Sequence, residues 1–227
     1  MVFIEVPRFF LILNFHIVNI LFLISLFFDL RERKVPIKFF TFFYFVDVIL
    51  NIFEYVLFFE NLHRFILMKV LTFIFVLFLS FLLFLLKIIG GSDGKLLILI
   101  FMIHPIPILN IPIIFFFYLI FSFFFIILCM INFVMNNYTN RHLSFALFFK
   151  KNIKLSILKN FYIKSFYKFQ NFSELNNYCE HTYVIKSTTL IFNGKRNKFQ
   201  ILSQLRQPLI IIIIPSYYIM YYVKLIV

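Results

Sequence analysis

The chain has 227 residues, of which 63% are hydrophobic and 39 are phenylalanine, and its mean hydropathy is +0.99. That composition excludes a soluble domain, which needs far more polar surface, and marks an integral membrane protein. The net charge of +13 is read as a report of membrane orientation rather than of nucleic-acid binding, because Lys and Arg collect in cytoplasmic loops.

Only helices and closed barrels satisfy their backbone polar groups in lipid, and long Phe, Leu and Ile runs without alternation point to helices. A helix needs about 20 apolar residues to cross about 30 Å of hydrocarbon. The expected fold is therefore an all-α polytopic membrane protein of about six transmembrane helices, with a small cytoplasmic α+β insertion before the last helix. Trp is absent, so the 12 Tyr are left to serve as interfacial anchors.

Residues 9–28 form the first span. It is read as retained rather than as a cleaved signal peptide, because no small-residue cleavage site follows and the run is long for a signal core. Arg31, Arg33, Lys34 and Lys38 then face one acid, Glu32, which marks a cytoplasmic loop and leaves the amino terminus outside. The second span, 39–59, carries Asp47, Asn51 and Glu54 at helical spacing. These three share one face, which turns toward protein or water as a polar seam or as a substrate- or proton-handling surface. The third span, 65–86, leads inward to Lys87 and Gly90-Gly91-Ser92-Asp93-Gly94-Lys95. A short fourth span, 95–109, is interrupted by His104, Pro105 and Pro107, with Pro112 following, so a kink or break is expected there. The fifth, 112–134, follows a turn marked by Asn110 and completes a membrane domain over residues 1–135.

Composition changes at residues 136–207, which hold 12 Lys and Arg and only two acids, Glu174 and Glu180. From 141 to 169, lysines are interleaved with aromatic and aliphatic residues, which suits helices lying on an anionic membrane face. Residues 183–192, then Asn193-Gly194, then 195–202 read as a β-hairpin. The segment carries no base-stacking motif, so no nucleic-acid partner is expected. Residues 208–227 supply the sixth span. This topology places Arg31, Arg33, Lys34, Lys38, Lys87, Lys95 and the insertion inside, and Arg8, Arg64, Lys69 and Lys224 outside. It also puts Asp29 and Asp93 at the cytoplasmic ends of their spans.

Cys129 and Cys179 have no metal-ligand spacing and make no disulfide framework, and the five histidines are unpaired in sequence, so neither a metal nor another cofactor is expected. The two aspartates carry the chemistry. Two carboxylates within a few ångströms share a proton because they cannot both ionise cheaply. One then accepts a proton from a bound water while the other protonates or hydrogen-bonds a scissile carbonyl, which hydrolyses a peptide without metal or covalent intermediate. Gly90, Gly91 and Gly94, with the small Ser92, are expected to let the chain turn sharply and an extended peptide approach; Lys95 is a supporting candidate.

Asp29-Leu30-Arg31-Glu32-Arg33-Lys34-Val35-Pro36 resembles the first aspartate motif of the type IV prepilin peptidases. In that family a span-end aspartate is followed by basic residues and often by Ile-Pro or Val-Pro. Gly90-Gly91-Ser92-Asp93-Gly94-Lys95-Leu96-Leu97 resembles the second motif, Gly-x-Gly-Asp or, in archaeal members, often Gly-Gly-Ala-Asp followed two residues later by Lys. Ser92 departs from both versions while keeping a small side chain. Arg206-Gln207-Pro208 before the final run is similar to the proline-led last helix of archaeal members, and the size, six spans and cytosolic insertion fit archaeal prepilin and preflagellin peptidases. The bacterial domain with paired Cys-x-x-Cys motifs is absent, and its methyltransferase activity is not implied.

The resemblance implies an aspartic endopeptidase of the cell membrane that removes short basic leaders from pilin-like or flagellin-like precursors at the cytoplasmic face. Asp29 and Asp93 are the implied catalytic pair. Basic leaders would be repelled by the basic insertion, which is expected instead to hold the anionic bilayer surface or shape access to the site. Two other readings compete. A presenilin-like intramembrane aspartic protease would carry a Tyr-Asp motif and a Pro-Ala-Leu motif, whereas this chain has Phe28-Asp29 and no Pro-Ala-Leu. A transport or assembly subunit would use Asp47 and Glu54 for protons or ions. No oligomeric state follows from the sequence.

Overall fold

A computed structural model describes residues 8–32, 35–58, 62–86, 88–106, 111–138, 142–151, 156–171, 183–194, 197–205 and 209–226. Its elements, in order, are α1 (Arg8–Glu32), α2 (Ile37–Phe58), α3 (Leu62–Leu85), α4 (Gly91–Ile103), α5 (Ile111–Tyr138), α6 (His142–Lys151), α7 (Ile157–Phe166), β1 (Tyr167–Asn171), β2 (Tyr183–Asn193), β3 (Lys198–Leu205) and α8 (Ile210–Ile226). Arg33, Lys34, Lys87, Pro107, Asn110, Arg141, Glu174, Cys179, Glu180 and the Arg206-Gln207-Pro208 lead into the last run lie outside the described residues.

Four helical stretches are long and apolar enough to cross a membrane: Phe9–Arg31, Ile37–Leu57, Leu62–Leu85 and Ile111–Tyr138. The chain is thus a mostly helical, membrane-embedded protein. The chain folds as two units, residues 1–121 with 208–227, and residues 122–207. The first half of α5 therefore belongs to the first unit and its second half to the other.

In the first unit each long helix buries one stripe and exposes the rest. The buried stripe of α1 is Phe10, Asn14, Val18, Leu21, Phe22, Ser25 and Asp29; that of α2 is Phe40, Phe43, Asp47, Leu50 and Glu54; that of α3 is Phe65, Lys69, Val76 and Ser80. Steps of three, four or seven, with Leu21 and Phe22 side by side, place each set on one helical face. Large apolar side chains such as Leu23, Phe45, Phe53, Leu67 and Phe78 point outward, the arrangement lipid requires and water penalises.

Helix α4 is built differently. Leu96, Leu97, Leu99, Ile100, Phe101 and Ile103 are all buried, and a helix apolar on every side belongs inside a bundle. It packs against α1, α2 and α3, and Phe101 meets Phe117 of α5 edge-on, with ring centroids 5.1 Å apart. With 13 residues, it spans about 20 Å at 1.5 Å per residue. It begins at Gly91, four residues before the expected start, and ends where Pro105 drives the preceding His104 into an extended conformation (φ −75°, ψ 141°). The break expected around His104 and Pro105 is present, and it ends the helix rather than bending it.

The second unit is a three-stranded antiparallel sheet in the order β1-β3-β2 with α6 and α7. Phe145 and Phe148 of α6 form a core with Tyr167, Phe169 and Leu202 of the sheet. The hairpin expected at Asn193-Gly194 is present, with a longer loop. Asn193 pairs with Lys198, and Asn197 takes the left-handed conformation (φ 51°) that Asn tolerates. The third strand, β1, was not expected.

Candidate active site

Asp29 stands in the last turn of α1, on the buried stripe, with Arg31 exposed two residues later. An anion near a helix C-terminus opposes the helix dipole, at a cost of about 0.3–1 kcal/mol. Local helix rules therefore do not account for an acid here. Val35, from the Val35-Pro36 part of the motif, is buried, and the Pro36 carbonyl accepts the Phe39 N–H (3.1 Å) as α2 begins.

Asp93 sits half-buried in the first turn of α4. Its Oδ2 accepts the backbone N–H of Gly90 at 2.9 Å, the acidic half of a capping box, and an anion suits this end of a helix. A Cβ at Gly90 would lie 3.1 Å from that same Oδ2, so any larger residue at 90 would displace the carboxylate by a few tenths of an ångström. The expected sharp turn is not what the other glycines provide. No glycine has a positive φ; a Cβ at Gly91 would meet nothing within 4 Å, and one at Gly94 would make ordinary 3.8 Å contacts with Ile89 and Ser80. Ser92 is half-buried and Lys95 exposed. Behind Gly94, Ser80 of α3 and Tyr118 of α5 hydrogen-bond through their hydroxyls at 2.9 Å, tying two neighbouring helices together beside the start of α4.

A second polar centre lies at the other end of α4. Lys69 of α3 forms an ion pair with Glu54 Oε2 at 2.8 Å and donates to the carbonyls of Met102 (3.0 Å) and His104 (3.1 Å). Glu54 Oε1 accepts the Ile106 N–H at 2.7 Å. The pair thus supplies, from side chains, partners for the backbone groups that Pro105 strands at the broken helix end, where lipid offers none. His104 hydrogen-bonds Tyr217 of α8 through Nε2 at 2.6 Å, and Asn51 donates to the Asp47 carboxylate at 3.0 Å.

The face shared by Asp47, Asn51 and Glu54 is therefore a polar seam inside the first unit. Lys69 was missed. The topology counted it with the outer loop, yet it is buried seven residues beyond the first residue of α3. Two signals pointed to it: a lone cation in an apolar run needs a partner, and Glu54 in the preceding span needs a cation.

Asp29 and Asp93 are thus carried by two helices that touch, one in the last turn of α1 and one in the first turn of α4. Among the described residues no three His, Cys, Asp or Glu side chains gather closely enough to hold a metal ion. In comparisons with known proteins, the chain matches no family model, no curated protein and no solved structure.

Proposed function

We propose that this protein is a membrane aspartic endopeptidase that uses Asp29 and Asp93 to remove short basic leaders from pilin-like or flagellin-like precursors. The observation that carries the reading is the placement of two acids at inward or half-inward positions on contacting helices. Asp29 is also set against the local preference of its helix, and the Gly90 cradle orients the Asp93 carboxylate.

In the proposed architecture the four long helices are joined by α4 and α8 as shorter spans, six in all. The acids then lie at the cytoplasmic face of the cell membrane, just below a substrate's hydrophobic helix. With a water between the carboxylates, one takes a water proton as the oxygen adds to the scissile carbonyl carbon, while the other donates a proton to the carbonyl oxygen. Collapse of the tetrahedral intermediate breaks the C–N bond, and a carboxyl proton goes to the departing amine. The dyad acts as a unit, so neither acid is fixed as base. Closure of the pair around an extended peptide is part of this reading.

The test uses the purified full chain in detergent or liposomes with pilin and flagellin precursors, alongside Asp29→Asn and Asp93→Asn. Leader removal by the unmodified chain, lost by at least about 10³-fold in both inserted variants, is expected from loss of a group acting in the chemical step. Cleavage that survives either substitution defeats the mechanism. Proton-gradient dependence without proteolysis would turn attention to the buried acids of α2.

A further inference from the structure

The buried stripe of α1 carries a second polar group next to Asp29. Ser25 is 0% exposed, and its Oγ has no hydrogen-bond partner. This sets it apart from the other buried serines among the described residues. Ser80 bonds Tyr118, Ser144 bonds Gln200, and Ser203 donates to the Lys168 carbonyl. Ser165 and Ser216 return their hydroxyls to the carbonyls of Phe161 and Ile212, four residues back, at 2.9 and 2.8 Å. That local bond is open to any helical serine, and Ser25 does not make it. A buried hydroxyl without a protein partner costs about 1–3 kcal/mol, so a hydrogen-bonding partner from outside the chain would stabilise Ser25.

Its position says which guest. Residues 25 and 29 are four apart on one helix, so their side chains are neighbours, with Cβ atoms about 5–6 Å apart. A helical side chain lies over the turn before its own Cα, which leans the Asp29 carboxylate back toward Ser25. A buried water needs about two to four polar partners, and the Ser25 hydroxyl and the Asp29 carboxylate would supply two of them. We propose that Ser25 is a water-holding residue of the peptidase site, its hydroxyl and the Asp29 carboxylate together fixing the water that attacks the scissile bond. The inference rests on the peptidase reading and adds to it a group that the aspartate motifs do not contain. No bond is made or broken at Ser25; it positions the oxygen nucleophile while Asp29 or Asp93 takes the proton.

Asn14 supplies a control on the same stripe. Both side-chain atoms of Asn14 are buried without hydrogen-bond partners, and 11 residues of helix put it about 16 Å from Ser25. The experiment compares Ser25→Ala, Ser25→Thr and Asn14→Leu in the precursor-cleavage assay, with a thermal melt of each. Ser25→Ala is expected to lower kcat about tenfold, the worth of one hydrogen bond to the reacting water, with KM within about twofold and a melting temperature unchanged or raised. Ser25→Thr, which keeps the hydroxyl, recovers most of the rate. Asn14→Leu raises the melting temperature at full kcat.

An unchanged kcat in Ser25→Ala overturns the proposal while leaving the peptidase reading intact. So does a loss of kcat that comes with a lowered melting temperature, since that marks a packing role. If the unmodified chain cleaves no precursor, both ideas fall together.

Discussion

At position 90 a missing side chain decides where a carboxylate rests. The Gly90 Cβ that glycine lacks would sit 3.1 Å from Asp93 Oδ2, so alanine must shift the carboxylate by a few tenths of an ångström. Misplacing a reacting group by about 1 Å lowers rates by about 100-fold, so a shift of a few tenths of that is worth between about twofold and tenfold. Gly90→Ala is therefore expected to cut leader cleavage by that range, and Gly91→Ala, with open space around its new methyl, to leave it unchanged. Initial rates on one precursor decide the matter; equal rates for both variants would remove Gly90 from the site. The sequence showed a glycine-rich turn ahead of an acid. It could not say which glycine the acid needs, because that depends on where Oδ2 folds in three dimensions.

At the scale of elements, α4 is held at both ends by charge of the favourable sign: an anion at its first turn and a cation over its last carbonyls. At the far end Glu54 accepts from the backbone and Lys69 donates to it, in addition to their pairing with each other. Removing either alone, as Glu54→Ala or Lys69→Ala, leaves a buried uncompensated charge and is expected to destabilise the fold by about 3–5 kcal/mol. The exchange Glu54→Lys with Lys69→Glu separates the two roles. It would set a cation against the Ile106 N–H and a carboxylate against the Met102 and His104 carbonyls, so melting in detergent should stay near the single variants. Recovery of the original melting temperature would reduce the pair to simple charge attraction. The period of Asp47, Asn51 and Glu54 was legible, as was the break at Pro105. The role of Lys69 was not, because nearness to a span end in sequence says nothing about which helix end lies beside it.

For the whole molecule, one unit gathers most of the apolar helices, and the other joins the later part of α5 to the basic insertion. The hairpin was legible from Asn193-Gly194 between β-branched runs, whereas β1 follows α7 without a break, and the alternation of Tyr167 to Gln170 is too short, with no turn ahead of it, to mark a strand. At its amino-terminal end α7 exposes Ile157 (87%) and Leu158 (80%) beside Lys159, the pairing of apolar and cationic groups expected at an anionic interface. An environment-sensitive fluorophore on Leu158→Cys, with Cys129 and Cys179 replaced by Ser, is expected to shift blue in liposomes containing anionic lipid and to revert in high salt. Equal spectra in anionic and zwitterionic liposomes would end that assignment.

The enclosure of α4 has a consequence for the lipid the protein can live in. A bilayer thinner or thicker than the long helices forces tilt or local deformation, at fractions of a kcal/mol per ångström of mismatch. From Leu96 onward most side chains of α4 are buried against its neighbours. In the proposed six-span arrangement, membrane thickness would therefore act on α1 directly and reach α4 beyond Asp93 mainly through its neighbours.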